Sequence, residues 1–454
     1  MPIFSAMVLL APLSATAAKK KAAKTKKAWE ARYDGPVQGS DYLTAMAADG
    51  QGNVYVTGAS WGGTGVNYDY ATAKFSSKGK QVWAARYNGP GSGEDAANAL
   101  AVDAAGNVYV TGYSLGAAGT YDLATIKYDS AGQQLWLARY NGTGNSYGMA
   151  IAVDGSGNVY VAGGSVGSGS HYDYIVIKYS SAGAQLWETR YNGPVNGVDR
   201  PVAMALDNAG NVHITGYSEF TTGGEVAFAT IKYNTNGQQL WLDHYSYVNV
   251  WGHQDSVPKA MAVDAQGNVY VTGYINGGQA SFTDLLTIKY SPDGERLWVL
   301  QDIPGDWTNE PWGITVDKQG NVLLTGEADV FDSGTLGDFF TIKYGPAGEK
   351  IWLRRYDSFY DSDRALAVTC DDQNNVYVTG VADYLSVNND FVFVTIKYSP
   401  SGDAIWGINT APPYYTSYWP EAMAVNGNGE VFVAGTTHSR TNSYDYFIVK
   451  YLQK

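Results

Sequence analysis

The chain has 454 residues, of which 45% are hydrophobic, and it carries a formal net charge of −13. This hydrophobic fraction is sufficient for a folded core and excludes a chain that is disordered throughout. Residues 28–454 contain 24 basic and 43 acidic residues. This part of the protein would repel phosphate backbones, so we expect no nucleic-acid partner.

The first 27 residues differ in composition from the rest of the chain. Residues 3–13 are largely apolar and residues 15–17 form a small-x-small cleavage signal, which predicts a secretory signal peptide over residues 1–18. The apolar stretch is too short to cross a bilayer, so we expect no transmembrane segment. Residues 19–27 contain six lysines and are predicted to be a solvated linker. The protein is therefore expected to be secreted or held at the cell envelope.

The remaining sequence is dominated by a repeat with successive spacings of 51 to 57 residues. Each copy contains a turn similar to Asp-x-x-Gly-Asn, followed by a strand-like segment similar to Val-Tyr-Val-Thr-Gly. The last turn position is occupied by Asn53, Asn107, Asn158, Asn211, Asn268, Asn321, Asn375 and, in a looser eighth copy, Glu430. A period near fifty residues with strand-like content indicates stacked or circular β repeats.

One repeat unit is predicted to form four short strands, which we name A to D. In the second copy, strand A covers residues 99–103, strand B 108–112, strand C 124–128 and strand D 134–140. Turns that contain glycine separate A from B and C from D, and a Gly/Ser-rich loop separates B from C. This order indicates an antiparallel meander.

The turn between strands A and B requires one residue with a positive φ angle. Glycine occupies the fourth turn position in seven copies, because it adopts that conformation without a Cβ clash. Asn374 replaces glycine in the seventh copy, and asparagine is the next residue type that tolerates this region. The substitution supports the turn assignment.

The two ends of the repeat region predict how the array closes. There are eight A–B turns but seven C–D turns, and the chain has an unpaired D-like strand at residues 29–33 and an unpaired C-like strand at residues 446–451. We therefore predict an all-β fold, a single β-propeller over residues 28–454 with eight four-stranded blades, in which the N-terminal strand completes the last blade. Closure hides the exposed strand edges, and we expect a monomer. A seven-bladed ring with one displaced unit is the alternative.

The repeat resembles the bacterial SBBP-type β-propeller repeat, whose core is similar to Asp-x-x-Gly-Asn-x-Tyr-Val-Thr-Gly, and the resemblance covers residues 29–451. The strand order is more distantly similar to NHL repeats. The four-residue interval from Gly132 to Trp136 resembles the tryptophan-docking motif of quinoprotein dehydrogenases. The resemblance implies a β-propeller with no settled biochemical activity. The family name implies seven blades, and this chain departs from it with eight units.

Variation between the copies concentrates in the B–C and D–A loops, which antiparallel geometry places on one face of the disc. Loops held by a rigid scaffold are where binding sites usually lie, so this loop face is the predicted location of a site. The ligand-binding candidates are Trp251, His253, Trp307 and Trp419, and further aromatic candidates on this face include Trp61, Tyr113, Tyr172, Phe220 and Trp312. Exposed rings beside short polar groups suit a glycan, peptide or protein ligand. The alternative is that the rings pack the loops against one another.

Four aspartates, Asp41, Asp95, Asp199 and Asp363, occupy one equivalent position, eight residues before the end of strand A. A partial ring of carboxylates at the channel mouth would bind a cation or a basic ligand. Alternatively, each aspartate caps its own loop through backbone N–H groups, as aspartate does in turns. We include the four residues among the ligand-binding candidates and favour the capping alternative.

Residues that recur in every blade are predicted to be structural, because they cannot single out one site. A lysine recurs in each strand C, from Lys74 to Lys450, and we expect it to pair within its blade with the aspartate that ends strand A. The strand D tryptophans, from Trp29 to Trp406, are expected to pack between blades.

The sequence contains no recognisable catalytic or metal-binding motif. The five histidines lack metal-ligand spacing, Cys370 is the only cysteine, and neither a Gly-x-Ser-x-Gly elbow nor a phosphate-binding loop is present. We predict no catalytic residue, no metal and no cofactor. The favoured function is a non-catalytic binding scaffold. The alternative is a propeller enzyme, either a carbohydrate-active hydrolase or lyase or a quinoprotein-like dehydrogenase.

Overall fold

The computed structural model describes residues 26–63, 67–167, 169, 171–249, 252–276, 283–305, 307–330, 335–358, 363–383, 391–410, 415–439 and 443–452. These residues form eight four-stranded antiparallel sheets and one two-stranded hairpin. No helix in this part of the chain could span a membrane. The predicted all-β fold with eight blades is confirmed.

The first half of the chain supplies β1 and blades 1 to 4, with the strands of each blade in the order A, B, C, D. The bounds are β1 (Lys26–Tyr33); blade 1, β2 (Asp41–Ala48), β3 (Val54–Trp61), β4 (Tyr68–Phe75), β5 (Gln81–Tyr87); blade 2, β6 (Asp95–Val102), β7 (Val108–Leu115), β8 (Tyr121–Tyr128), β9 (Gln134–Tyr140); blade 3, β10 (Ser146–Val153), β11 (Val159–Val166), β12 (Tyr172–Tyr179), β13 (Gln185–Tyr191); blade 4, β14 (Asp199–Leu206), β15 (Val212–Glu219), β16 (Val226–Tyr233), β17 (Gln239–Tyr245).

The second half supplies a short hairpin and blades 5 to 8. The bounds are the hairpin, β18 (Tyr247–Asn249), β19 (Gly252–Gln254); blade 5, β20 (Ser256–Val263), β21 (Val269–Asn276), β22 (Thr283–Tyr290), β23 (Arg296–Asp302); blade 6, β24 (Asn309–Val316), β25 (Val322–Val330), β26 (Thr335–Tyr344), β27 (Lys350–Tyr356); blade 7, β28 (Arg364–Cys370), β29 (Val376–Asp383), β30 (Phe391–Tyr398), β31 (Ala404–Thr410); blade 8, β32 (Tyr415–Val425), β33 (Val431–Ser439), β34 (Tyr444–Leu452).

The N-terminal strand closes the ring, as predicted. Strand β1 pairs antiparallel with β34 and is the outermost strand of blade 8. The A strands of neighbouring blades contact one another around the central axis, and β2 of blade 1 contacts β32 of blade 8. The strand begins earlier than expected, because Lys26 and Lys27 pair with Leu452 and Tyr451. These two residues therefore belong to blade 8 rather than to the predicted linker, and residues 1–25 lie outside the described part.

Buried side chains of the described residues form eight clusters, one between each pair of neighbouring blades. Strand B shows why, because its two faces enter different clusters. Val108 and Val110 pack against Tyr55 of blade 1, and Tyr109 packs against Val159 and other side chains of blade 3. A strand covered on both faces is buried along its length, so strand B contains apolar residues at consecutive positions.

The A–B turn is fixed by one aspartate that accepts four hydrogen bonds. Asp103 Oδ1 accepts from the N–H groups of Ala105 and Asn107, and Oδ2 accepts from Asn107 Nδ2 and the Tyr109 hydroxyl. Burial alone would raise the pKa of Asp103, but these hydrogen bonds outweigh it and lower the pKa. The φ angle of Asn374 is 60°, as the turn assignment predicted.

The recurring tryptophan and lysine both attach a blade to the next one. Trp136 Nε1 and Lys127 Nζ each donate to Ser181 O in the C–D turn of blade 3, at 3.2 Å. The predicted packing of tryptophan between blades is confirmed. The predicted ion pair within a blade occurs in blades 4, 6 and 7, as Lys232–Asp207, Lys343–Asp317 and Lys397–Asp371. Glu430 takes the acidic role in blade 8, where it pairs with Lys450 at 2.7 Å.

Candidate functional site

The four candidate aspartates are fully or almost fully buried rather than exposed at the channel mouth. Asp41, Asp95 and Asp199 accept hydrogen bonds from the backbone N–H groups of Gly35, Gly89 and Gly193, at 2.6 to 2.8 Å. Asp363 likewise accepts from Ser358 N at 2.6 Å and from its hydroxyl at 2.8 Å. These contacts match the capping alternative, in which each aspartate holds its own D–A loop.

Burial changes the protonation of these aspartates. It raises the pKa of Asp199 to about 6, against the lowering effect of the Gly193 N–H. Burial also raises the pKa of Asp41 and of Asp95. The position is therefore a structural one whose charge depends on pH.

The aromatic candidates are not gathered into one pocket. Trp251 lies outside the described residues, and of His253 only the backbone, in β19, is described. Trp307 lies in the loop before blade 6 and is 42% exposed. Trp419 lies in blade 8, with its ring 5.7 Å from that of Phe391. Their binding role stays a prediction.

A set of bulged residues in the A strands was missed by the sequence analysis. Every A strand has a β-bulge three residues after the aspartate position, and the bulged residue is skipped in the pairing with strand B. The eight bulged residues are Thr44, Asn98, Met149, Val202, Lys259, Trp312, Leu366 and Glu421. No two are alike, although the residue that follows is alanine in seven blades. A variable residue before a recurrent alanine was therefore the sequence feature that could have identified this position.

A cavity of about 360 Å³ opens on the loop face between blades 2 and 3. Four half-buried tyrosines line it: Tyr113, Tyr121, Tyr147 and Tyr172. Tyr113 and Tyr172 were among the aromatic candidates, whereas Tyr121 and Tyr147 were not. Glu94, Asn98, Asn145, Ser146 and Met149 complete the described lining.

The cavity walls are built from two pairs of rings. Tyr113 and Tyr121 pack edge to face at 5.3 Å, and Tyr147 and Tyr172 do so at 5.2 Å. The Tyr113 hydroxyl donates to Glu94 Oε1 at 2.7 Å and orients that exposed carboxylate. Burial raises the pKa of Tyr147 to about 12, so its hydroxyl stays protonated at neutral pH.

Two asparagine side chains of the cavity each form one hydrogen bond with the backbone. Asn98 Nδ2 donates to Gly148 O at 2.8 Å, and Asn145 Oδ1 accepts from Tyr121 N at 3.0 Å. Each of these bonds uses one atom of the amide and fixes its orientation. The other amide atom of each side chain is then available to a ligand, as an acceptor on Asn98 and a donor on Asn145.

The opposite arc of the loop face carries charges that pair with one another. Lys259 Nζ lies 3.4 Å from Glu310 Oε2 and 4.3 Å from the centre of the Trp312 ring. Arg364 Nε lies 2.5 Å from Glu327 Oε2. Here the side chains satisfy each other, in contrast to the tyrosine cavity.

Two larger cavities, of about 670 and 510 Å³, lie on the turn face. They are lined by equivalent residues of different blade pairs, such as Asp49, Lys74 and Asp103 in one and Asp154, Lys178 and Asp207 in the other. These cavities are grooves that the repeat itself generates. Single tyrosines recur at these positions in other blades, as Tyr68, Tyr274 and Tyr444 do. The tyrosine cavity is the stronger candidate because it combines four tyrosines with Glu94, Asn98 and Asn145.

Comparison with known families agrees with the repeat. Residues 251–278 match the family described as SBBP, beta-propeller repeat. The chain carries an SBBP repeat. The matched segment covers the end of the D–A connection and strands A and B of blade 5, and the same strand order recurs in the other seven blades.

Relatives of the SBBP-repeat chain give no assigned activity over its whole length. An uncharacterised WD repeat-containing protein of Acanthamoeba polyphaga mimivirus is 24% identical over 74% of this chain. The regulatory protein FlaEY of Caulobacter vibrioides is 31% identical over 24% of this chain. The chain spans 34% and 13% of the lengths of these two relatives.

Among solved structures, a polysaccharide lyase that acts on ulvan is similar in fold. Its TM-score is 0.47 at 11% identity, and the match covers 82% of this chain and 96% of that one. At this level the similarity concerns the architecture alone.

Proposed function

We propose that this SBBP-repeat propeller is a non-catalytic binding protein that takes a carbohydrate ligand in the tyrosine cavity between blades 2 and 3. The observation that supports the proposal is the break in pseudosymmetry at this place. The blades share one framework, and here that framework presents four tyrosine rings together with Glu94, Asn98 and Asn145.

The chemistry of the cavity suits a sugar ring. A pyranose has an apolar face that packs on aromatic rings and hydroxyl groups around its edge. Glu94 accepts hydrogen bonds, and the two asparagines offer one acceptor and one donor. The volume, about 360 Å³, lies at the lower end of the range for small-molecule sites, roughly 300–1,000 Å³.

Catalysis is less well supported at this place. Most glycoside hydrolases need two carboxyl groups, one as an acid and one as a base or nucleophile. Of the described residues that line the cavity, Glu94 alone carries a carboxyl group, and none is a histidine. A binding role therefore fits the lining better than a hydrolytic one.

The proposal is tested by probing a glycan array with the full chain and measuring affinity for the glycan retained. Tyr113→Ala removes one wall and is expected to weaken binding at least tenfold, about 1.4 kcal/mol. Tyr274→Ala is the matched control, because Tyr274 occupies the same strand B position in blade 5 and lies against Lys259. We expect it to change affinity less than threefold. Equal losses in both variants, or retention of peptides and no glycan, would sink the proposal.

We also propose that the protein acts outside the cytoplasm, on the basis of residues 3–17. Fractionation of cells that express the full chain, followed by mapping of its first residue, tests this. The expected mature protein begins near residue 18 and is found in the medium or the envelope. A cytoplasmic protein that retains residue 1 contradicts the proposal.

A further inference from the structure

Three carboxylates meet where the two ends of the chain close the ring. Asp34 follows β1, Asp41 begins β2, and Asp445 lies in β34. One carboxylate oxygen from each of these residues lies within 4.8 Å of the others. Asp34 is exposed, whereas Asp41 and Asp445 are buried, with 0% and 8% exposure.

The buried carboxylates are incompletely satisfied. Oδ1 of Asp445 is buried and has no hydrogen-bond partner, and the same is true of Oδ1 of Asp41. Oδ2 of Asp41 accepts from Gly35 N at 2.6 Å. A buried carboxylate oxygen without a partner is costly. Oδ1 of Asp69, Asp122 and Asp199 in other blades also lacks a partner. At the closure of the ring, two such oxygens belong to one group of three carboxylates.

Other blades show how this position is normally neutralised. Asp69, Asp122 and Asp173 are equivalent to Asp445, and each forms an ion pair of 2.8 or 2.9 Å with an arginine of strand D. Those arginines are Arg86, Arg139 and Arg190. The equivalent Arg32 has its guanidinium carbon 5.6 Å from the centre of the Phe447 ring.

The place where β1 and β34 close the ring, which we call the seam, also carries one extra carboxylate. The residue after strand D is Asn88, Asn141 and Asn192 in blades 1 to 3, and it is Asp34 at the seam. Burial raises the pKa of Asp445 to about 6, with further contributions from Asp34 and Asp41 and an opposing one from Arg32. Arg86, which lowers the pKa of Asp41, is held by Asp69 at 2.8 Å. Three carboxylates therefore lie in one place, with the charges of Arg32 and Arg86 acting on Asp445 and Asp41, respectively.

We propose that Asp34, Asp41 and Asp445 bind one Ca²⁺ ion, which links the N-terminal and C-terminal strands at the seam. Ca²⁺ prefers carboxylate oxygens at about 2.3–2.6 Å, so two oxygens on one ion are separated by at most about 5 Å. The observed spacing of 4.8 Å or less fits this limit. Water completes the coordination on the side where Asp34 is exposed.

A second group of aspartates supplies the matched control. Asp338, Asp357 and Asp363 occupy the equivalent positions between blades 6 and 7, but the described residues show no comparable cluster there. The Ser358 hydroxyl donates to Asp363 Oδ1 at 2.8 Å, whereas glycine, Gly35, occupies the equivalent position at the seam. Asp357→Asn therefore removes the same charge at the same repeat position without touching the seam.

The test is thermal unfolding of the full chain, first treated with EDTA, with and without Ca²⁺. We expect Ca²⁺ to raise the Tm of the natural protein by about 2 °C or more. Asp34→Asn, which restores the residue of blades 1 to 3, is expected to abolish this shift, and Asp357→Asn to retain it. Tb³⁺ luminescence should show one saturable site that Ca²⁺ displaces, and Asp34→Asn should lose it.

Three results would overturn the proposal. They are the absence of a Ca²⁺-dependent shift in the natural protein, an equal shift in Asp34→Asn, and an equal shift when Mg²⁺ replaces Ca²⁺. Because Asp34 is exposed, Asp34→Asn is expected to fold. The measurement needs no sugar ligand, so its outcome is independent of the tyrosine cavity.

Discussion

Blades 2 and 3 and blades 5 to 7 carry different side chains on the loop face, although their backbone framework is the same. The first pair carries four tyrosines around an open cavity, and the second arc carries Lys259, Glu310, Glu327 and Arg364 in mutual ion pairs. Both arcs have the same A–B turn, the same bulge in strand A and the same tryptophan contact to the next blade. The difference teaches that the repeat fixes where side chains are placed, while the individual residues decide whether they face a ligand or each other.

The largest expected effect comes from the framework and should be equal in both arcs. A Cβ atom on Gly112 of blade 2 or on Gly326 of blade 6 would lie 2.0 Å from the carbonyl oxygen of Ala96 or Glu310, respectively. Because backbone atoms of a central sheet cannot move away, each alanine substitution is expected to lower the free energy of unfolding by about 3 kcal/mol. Urea unfolding measures this.

Gly50 supplies the control for these two substitutions. No atom lies within 4 Å of a Cβ at this position, so Gly50→Ala is expected to change stability by less than about 0.5 kcal/mol. A large difference between Gly112→Ala and Gly326→Ala would show that the two arcs do not share one framework.

A smaller effect is expected at the capping position, which is Asp199 in blade 4 and Ser146 in blade 3. The pKa of Asp199 is raised to about 6, so the folded state binds more protons than the unfolded state between about pH 4 and 6. Its contribution to stability therefore falls as pH rises, by about 2 kcal/mol between pH 4.5 and 7. Asp199→Asn should remove this slope.

The test measures the free energy of unfolding of Asp199→Asn and of the natural protein at pH 4.5 and at pH 7. The difference between the two proteins is expected to change by about 2 kcal/mol between these pH values. Ser146→Ala in blade 3 is the control, because the serine does not titrate, and its difference from the natural protein should be the same at both pH values. A constant difference for Asp199→Asn as well would contradict the raised pKa.

The smallest expected effect sharpens the role of the tyrosines. If the ring face of Tyr172 holds the ligand, Tyr172→Phe keeps affinity within about twofold, whereas Tyr172→Ala loses about tenfold. Calorimetric titration with the glycan retained on the array measures both. A loss in Tyr172→Phe as large as in Tyr172→Ala would assign recognition to the hydroxyl instead.

Much of the framework was predictable because its causes are local. A turn that needs a positive φ angle selects glycine, or asparagine at Asn374, and the observed φ of 60° agrees. The count of turns and the unpaired end strands predicted closure, which β1 and β34 confirm. The exception is the start of β1, because pairing with Leu452 and Tyr451 extends the strand into residues whose composition favours a linker.

The candidate site was less predictable because the burial of a side chain and the residues around it depend on parts of the chain that are distant in sequence. Asp41 and Asp95 were considered for a carboxylate ring, and the fold buries them beneath their own loops. Asn98 and Met149 reach the cavity because a bulge displaces them from the regular alternation of strand A. Tyr147 was not selected as a candidate, although the predicted bounds of strand A placed it in the D–A loop; in the structure it lies in β10 and lines the cavity.

The sequence by itself determined the repeat, the strands, the turns and the number of blades, since each depends on residues that are close along the chain. Only the tertiary structure decided which side chains from different blades share a cavity and which carboxylates meet at the seam. Asp34 and Asp445 are separated by almost the whole chain and are adjacent because the ring closes. Interactions between distant residues depend on packing, which no single segment encodes.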